Sequence, residues 1–195
     1  TVVLTAQPNS NVVLTVTSGD TGEATVSAAS LTFTNANWNT AQTVTATGID
    51  ENIIDGTQTA TVTISVTDAA SDNNFDPLAD QTVNVSVADN DTAGFTLTQT
   101  GASTTVDEGG TTDTFTVVLN AQPTSDVVLT VTSGDTGEAT VSSATLTFTS
   151  ANWNTAQTIT VTGVDDPGID GTQTTTVTLS VNDGASDNNF DPLAD

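Results

Sequence analysis

The stretch GVDDPGIDG, Gly163 to Gly171, places three carboxylates, Asp165, Asp166 and Asp170, within six residues and no basic residue beside them. Acids at this spacing can hold a hard cation, work as a paired acid and base, or sit solvated in a turn. The rest of the chain sharpens the choice. It has 24 Asp and Glu, no Lys, no Arg and no His, for a formal charge of −24. Two carboxylates about 4 Å apart repel by roughly 4 kcal/mol at an effective dielectric of 20. No side-chain salt bridge can relieve them. The fold must disperse its acids, protonate some, or take cations from outside.

The same composition excludes several functions. Nucleic acid is not expected as a partner, because phosphate contacts need Lys and Arg. Anionic membrane surfaces fall on the same ground, and no run nears the ~20 apolar residues of a span. Catalysis lacks His, Cys, Lys, Arg and Tyr. Paired carboxylates can cleave a glycoside, but adjacent loop acids suit a metal better, so the expectation is no enzyme. With no His and no Cys, zinc and softer metals lack their ligands. Hard carboxylate oxygens suit Ca²⁺, which takes six to eight of them.

The elements that must position these acids repeat. TVVLTAQPNSNVVLTVTSGDTGEATVS begins at Thr1 and TVVLNAQPTSDVVLTVTSGDTGEATVS at Thr116; NWNTAQT recurs at Asn37 and Asn152, SDNNFDPLAD at Ser71 and Ser186. Every match is offset by 115 residues, and about four in five aligned positions are identical. A fixed long period marks a tandem array, and the period has the size of one sandwich domain. The division expected is 1–91 for a first repeat without its N-terminal strand and 92–195 for a second without its last. We read the chain as a window from a longer array; the rival reading is that neighbouring chains supply the absent strands.

Strands follow from period-two alternation of apolar residues with Thr and Ser. In the second copy they are A (Phe95–Gly101 and Thr104–Val106), B (Thr114–Ala121), C (Asp126–Ser133), D (Ala139–Thr149, whole or broken), E (Ala156–Val164) and F (Thr172–Val181). Gln81–Asp89 of the first copy supplies the pattern for G. Turns rich in Gly, Pro, Asn and Asp separate them. The expected class is all-β, with tandem immunoglobulin-like antiparallel sandwiches of about seven strands each.

In such a sandwich alternate loops share a pole. The A–B, C–D and E–F loops and the end of G are VDEGG, SGDTGE, DDPGIDG and ADND, all acidic. This gathers Asp107, Glu108, Asp135, Glu138, Asp165, Asp166 and Asp170 in the second copy. In the first it gathers Asp20, Glu23, Asp50, Glu51, Asp55, Asp89 and Asp91. The cluster is expected to bind calcium. Solvated turns are the plainer reading of any one Asp, which favours turns in any case. No EF-hand loop and no glycine-rich nonapeptide is present.

The segment from Val106 to Asp166, VDEGGTTDTFTVVLNAQPTSDVVLTVTSGDTGEATVSSATLTFTSANWNTAQTITVTGVDD, resembles the bacterial Calx-β-like repeats of large cell-surface proteins. The marks are EGG after strand A, LTFTSANWNTAQTITVTG, and DD after strand E. The likeness covers nearly the whole chain, twice. It implies a calcium-binding sandwich with ligands at the pole just described. Glu108, Asp135, Asp165 and Asp166 match the family's acidic positions, as do Asp20, Asp50 and Glu51. The E–F loop, ENIIDG or DPGIDG, carries fewer acids than that of the family's strong calcium sensors.

At the other pole lies the F–G loop, SDNNFDPLAD. Asp187 and Asp191 could there meet Asp89 and Asp91 of the linker ADNDTAG through a shared ion. Equally, Phe190 and Leu193 could plug the sandwich end while the acids cap turns. Trp38 and Trp153 could stack on a sugar, or pack the sandwich end. The function expected is a calcium-stiffened spacer or shaft of an extracellular bacterial adhesin or filament, on the cell surface or secreted. Its partners would be neighbouring repeats of the chain, or neighbouring chains in a filament. Near-identical repeats favour a spacer, since binding usually diversifies loops. The alternatives are a glycan- or cell-binding module and a fibre subunit joined by donor-strand exchange. The absence of Lys and Arg also leaves trypsin-like proteases no site, which suits an exposed shaft.

Overall fold

The computed structural model describes residues 1–169 and 171–193. The chain is all-β, and among the described residues the paired strands are antiparallel. It divides into two compact units, one of Thr1–Glu51 with Asp55–Asp89, the other of Asn52–Ile54 with the chain from Asn90 onward. Asp91, expected with the first repeat, therefore belongs with the second unit. Among the described residues no helix is long and apolar enough to cross a membrane.

The first unit holds β1 (Val12–Ser18), β2 (Ala24–Val26), β3 (Ser30–Phe33), β4 (Ala46–Gly48), β5 (Gln58–Val66) and β6 (Gln81–Val87). Its larger sheet has the order β3-β1-β5-β6; β2 and β4 form a second, two-stranded sheet. The second unit holds β7 (Phe95–Gln99), β8 (Thr112–Leu119), β9 (Val127–Ser133), β10 (Ala139–Val141), β11 (Thr145–Phe148), β12 (Gln157–Gly163) and β13 (Val177–Val181). Here one sheet runs β10-β12-β8-β7 and the other β11-β9-β13.

Strands form where alternate residues are apolar and the rest Thr or Ser. β9 buries Val127, Leu129 and Val131, and β8 buries Phe115, Val117 and Leu119. These two sets, from different sheets, join Phe148, Ile159 and Phe190 in one core. The first unit repeats the plan with Val12, Leu14, Val16, Phe33 and Phe75.

Strand D is broken, and both copies break it alike. Ser142 stays with the fifth strand of its repeat, its N–H donating to Thr160 O at 2.8 Å and its Oγ accepting from Thr160 N at 3.0 Å. Two residues on, Ala144 O accepts from Val131 N at 2.9 Å, so the chain has crossed to the other sheet. Ser27 and Ala29 do the same against Thr45 and Val16. Strand A is shorter than expected. It ends at Gln99, and Gly101 and Ala102 follow with φ of 66° and 68°. Left-handed backbone cannot continue a strand, so Thr104–Val106 runs on as irregular chain.

Neighbours set strand length. β12 lies between β10 and β8 and spans seven residues, whereas the matching strand β4 pairs only with β2 and spans three. β5 lies between β1 and β6 and runs nine residues, whereas β13 pairs only with β9 and runs five.

Candidate metal centre

In the first unit the acidic loops meet. Asp20 and Glu23 stand in the turn between β1 and β2, Glu51 and Asp55 in the connection from β4 to β5, and Asp89 just past β6. The β1–β2 turn is built by its own acid. Asp20 Oδ1 accepts from Gly22 N at 3.0 Å, and Asp20 O accepts from Ala24 N at 3.0 Å. Glu23 O accepts from Ile49 N at 2.7 Å, which ties this turn to the start of the β4–β5 connection. The far end of that connection is tied to Asp89, whose Oδ2 accepts from Asp55 N at 3.1 Å and Gly56 N at 2.9 Å. Gly56 has φ +73°, a conformation that glycine adopts without a Cβ penalty.

These ties bring Glu23, Glu51 and Asp55 together. One oxygen from each lies within 4.8 Å of the other two. Calcium–oxygen distances of about 2.3–2.6 Å put ligands on opposite sides of one ion about 5 Å apart, so the spacing fits that ion. Glu23 feels the crowding. Burial first, then Asp55, Asp20, Glu51 and Asp89, push its carboxyl above the ordinary 4.5. Asp50, expected in the same set, is not part of the triad.

By the 115-residue offset the triad's counterparts are Glu138, Asp166 and Asp170. Asp170 lies outside the described residues. Asp107, Glu108 and Glu138 line one groove of about 620 Å³ with Gly168, Ile169 and Gly171. Gly163 makes this meeting possible: a Cβ there would lie 2.0 Å from Asp107 O. Three of the expected ligands also hold their own turns through one carboxylate oxygen. Asp107 Oδ1 accepts from Gly109 N at 2.9 Å, Asp135 Oδ1 from Gly137 N at 2.9 Å, and Asp166 Oδ1 from Gly168 N at 2.6 Å. Asp135 and Asp165 do not line the groove.

The F–G loop acids divide in their roles. Asp187 is buried, and its Oδ2 accepts from Thr124 N at 2.6 Å, Thr124 Oγ1 at 2.7 Å and Ser125 N at 3.0 Å. Its Oδ1 accepts from Asn189 N at 3.0 Å. Burial alone would raise its pKa, but the bonds from Asn189, Thr124 and Ser125 outweigh it and hold the carboxyl below 3.8. Asp187 thus caps backbone in the loop before β9, which is the turn-capping alternative. Asp72, buried at the matching position, binds Asn9 N at 2.6 Å and Asn74 N at 3.0 Å in the same way. Its lowered pKa comes first from the Asn74 and Asn9 backbone bonds. Nothing but its repeat position marked it in the sequence. Asp191 differs: its Oδ1 is enclosed without a hydrogen bond, as is Oδ1 of its counterpart Asp76. Phe75 and Phe190 plug the cores beside these loops.

Trp38 and Trp153 are half-buried and pack against the two cores. Their loops are pinned from within, by Asn37 Oδ1 accepting from Thr34 N and Asn152 Oδ1 from Thr149 N, both at 2.6 Å. No protein-family model matches the chain, and no curated protein matches it.

Proposed function

We propose that this chain is a calcium-binding structural repeat, a spacer or shaft segment of an extracellular bacterial surface protein of the Calx-β-like kind. The observation that carries the reading is the convergence of Glu23, Glu51 and Asp55 in a chain with no side-chain cation. An ion there would join the β1–β2 turn to the β4–β5 connection. Asp89, already bonded to that connection, would be fixed with it. The chain leaves the first unit at Asp89, so the ion would stiffen the exit into the linker. Millimolar calcium outside cells would keep such a site filled.

Two features support a spacer over an adhesive module. Outside the E–F loop the loops barely differ between copies, and the large aromatics pack on the cores rather than standing free. Without the basic, thiol and imidazole groups of most active sites, the reading is non-enzymatic. Small-angle scattering on a four-repeat array tests the mechanical half. Its maximum dimension is expected to fall when EGTA replaces millimolar calcium; equal dimensions in both would remove the stiffening role.

A further inference from the structure

One peptide bond recurs three times. Aspartate precedes proline at Asp76–Pro77, Asp166–Pro167 and Asp191–Pro192. The side-chain oxygens of an aspartate lie within reach of its own carbonyl carbon, so nucleophile and target share one residue. Proline makes the amide between them tertiary, with no N–H. Its nitrogen leaves as an amine once it gains a proton. All three aspartates are half-buried, and all three prolines are exposed.

The three differ in one oxygen. Asp166 Oδ1 accepts from Gly168 N at 2.6 Å. Asp76 Oδ1 and Asp191 Oδ1 are enclosed and, among the described residues, accept no hydrogen bond. A buried polar atom without a partner is rare enough to need a cause, and reactivity at that atom is one. Its lone pairs are neither shared with a donor nor covered by bulk water. The cost of leaving them so is lifted when a bond forms there. The same atom is unbonded in both copies, in a loop, SDNNFDPLAD, that both copies share.

The loop frames this bond alike in both units. Asp72 O accepts from Phe75 N at 2.8 Å, and Phe75 O from Leu78 N at 3.0 Å. The second of these closes a turn whose central peptide is Asp76–Pro77. Asp187, Phe190 and Leu193 repeat both bonds around Asp191–Pro192, at 2.8 and 3.1 Å. Phe75 and Phe190, buried in the two cores, anchor the turns just ahead of the bond.

We infer that Asp76–Pro77 and Asp191–Pro192 are self-cleavage sites, each cut by the side-chain carboxylate of its own aspartate. Asp76 Oδ1 attacks the Asp76 carbonyl carbon and forms a C–O bond. The C–N bond breaks, its electron pair stays on the Pro77 nitrogen, and a solvent proton completes the amine. The aspartate is left as a five-membered cyclic anhydride, which one water opens to two carboxyl groups. The net change is hydrolysis of one peptide bond, once per site and without turnover. Asp191 and Pro192 follow the same course. The first cut leaves β6 in its ladder with β5 from Gln58↔Val87 to Ile64↔Gln81, so the pieces part only when that ladder opens. A chain with no Lys or Arg offers trypsin-like proteases no site, and here it carries cutting points of its own.

The full chain, metal-free in a mildly acidic buffer with an inhibitor of acid proteases, is followed by intact-mass spectrometry. Fragments beginning at Pro77 and Pro192 are expected to accumulate at least tenfold faster than those beginning at Pro167. In unfolding urea the three rates should converge. Asp76→Asn should abolish the Pro77 fragment while cleavage at Pro192 in the same molecule continues. In H₂¹⁸O, water entering the anhydride at either carbonyl should label the side-chain carboxyl of Asp76 as well as its new α-carboxyl. Direct hydrolysis labels the α-carboxyl alone. Equal rates at the three bonds of the folded chain, a Pro77 fragment that survives Asp76→Asn, or label confined to the α-carboxyl would overturn the proposal. Calcium is absent throughout, so these outcomes are independent of the metal centre.

Discussion

Glu23 reports on the acidic pole because burial, and after it four other carboxylates, press on it and no side-chain cation relieves them. Its folded pKa is raised above 4.5, so the folded chain holds this proton more tightly than the unfolded one. Without metal, that contribution to stability is complete below 4.5 and is lost as the pH rises through the raised value. On the proposed reading calcium would compete with the same proton, so its affinity should fall as the pH drops through this range. Glu23→Gln is expected to raise the melting temperature in EGTA and to shrink the increase that calcium gives; melting curves of both proteins at pH 7 check this. Asp187 has the opposite sign. Its pKa is held below 3.8, so its contribution is present above that value and lost as the pH falls through the folded pKa. Asp187→Ala strips three backbone donors and a hydroxyl of their acceptor and should cost about 2–4 kcal/mol at neutral pH. Urea titrations at pH 7 and at pH 2 should show that deficit shrinking in acid.

Single positions in the strands and their connections place the pole. A Cβ at Gly163 would strike Asp107 O at 2.0 Å, whereas at the matching Gly48 the nearest atom is Val87 Cγ1 at 3.3 Å. Gly163→Ala should therefore cost about 3 kcal/mol by displacing the Asp107 loop, and Gly48→Ala about 1 kcal/mol or less; chemical denaturation separates the two. Ala102, at φ 68°, carries a left-handed strain that Ala102→Gly should relieve by up to about 1 kcal/mol in the same assay. The strands themselves were legible, because Val-Val-Leu-Thr-Val-Thr can bury only one face. The sheet crossing at Ser142–Ala144 was not, since it depends on which neighbours accept the backbone bonds. The meeting of Glu23, Glu51 and Asp55 was legible from loop alternation. Alternation could not say which acids line the groove: Asp135 and Glu138 stand three apart in one loop, yet of the two only Glu138 lines it. Asp72 and Asp187 look like any turn acids until the loop before the third strand folds back on them.

For the whole molecule, a charge of −24 with no Lys or Arg makes solution conditions part of the fold. The metal-free protein should gain stability with added NaCl, as the Debye length shortens from about 10 Å at 0.1 M to about 3 Å at 1 M. On the proposed reading calcium should do the same at far lower concentration, because it would act by binding and not by screening. The most direct test is a calorimetric titration of the metal-free chain with CaCl₂ at pH 7 and 0.15 M NaCl, beside Glu23→Gln and Asp55→Asn. We expect saturable binding in the wild-type chain, and at least tenfold weaker affinity at one site in each variant. Absence of saturable heat below 10 mM calcium, or isotherms that both substitutions leave unchanged, would contradict calcium binding at Glu23, Glu51 and Asp55.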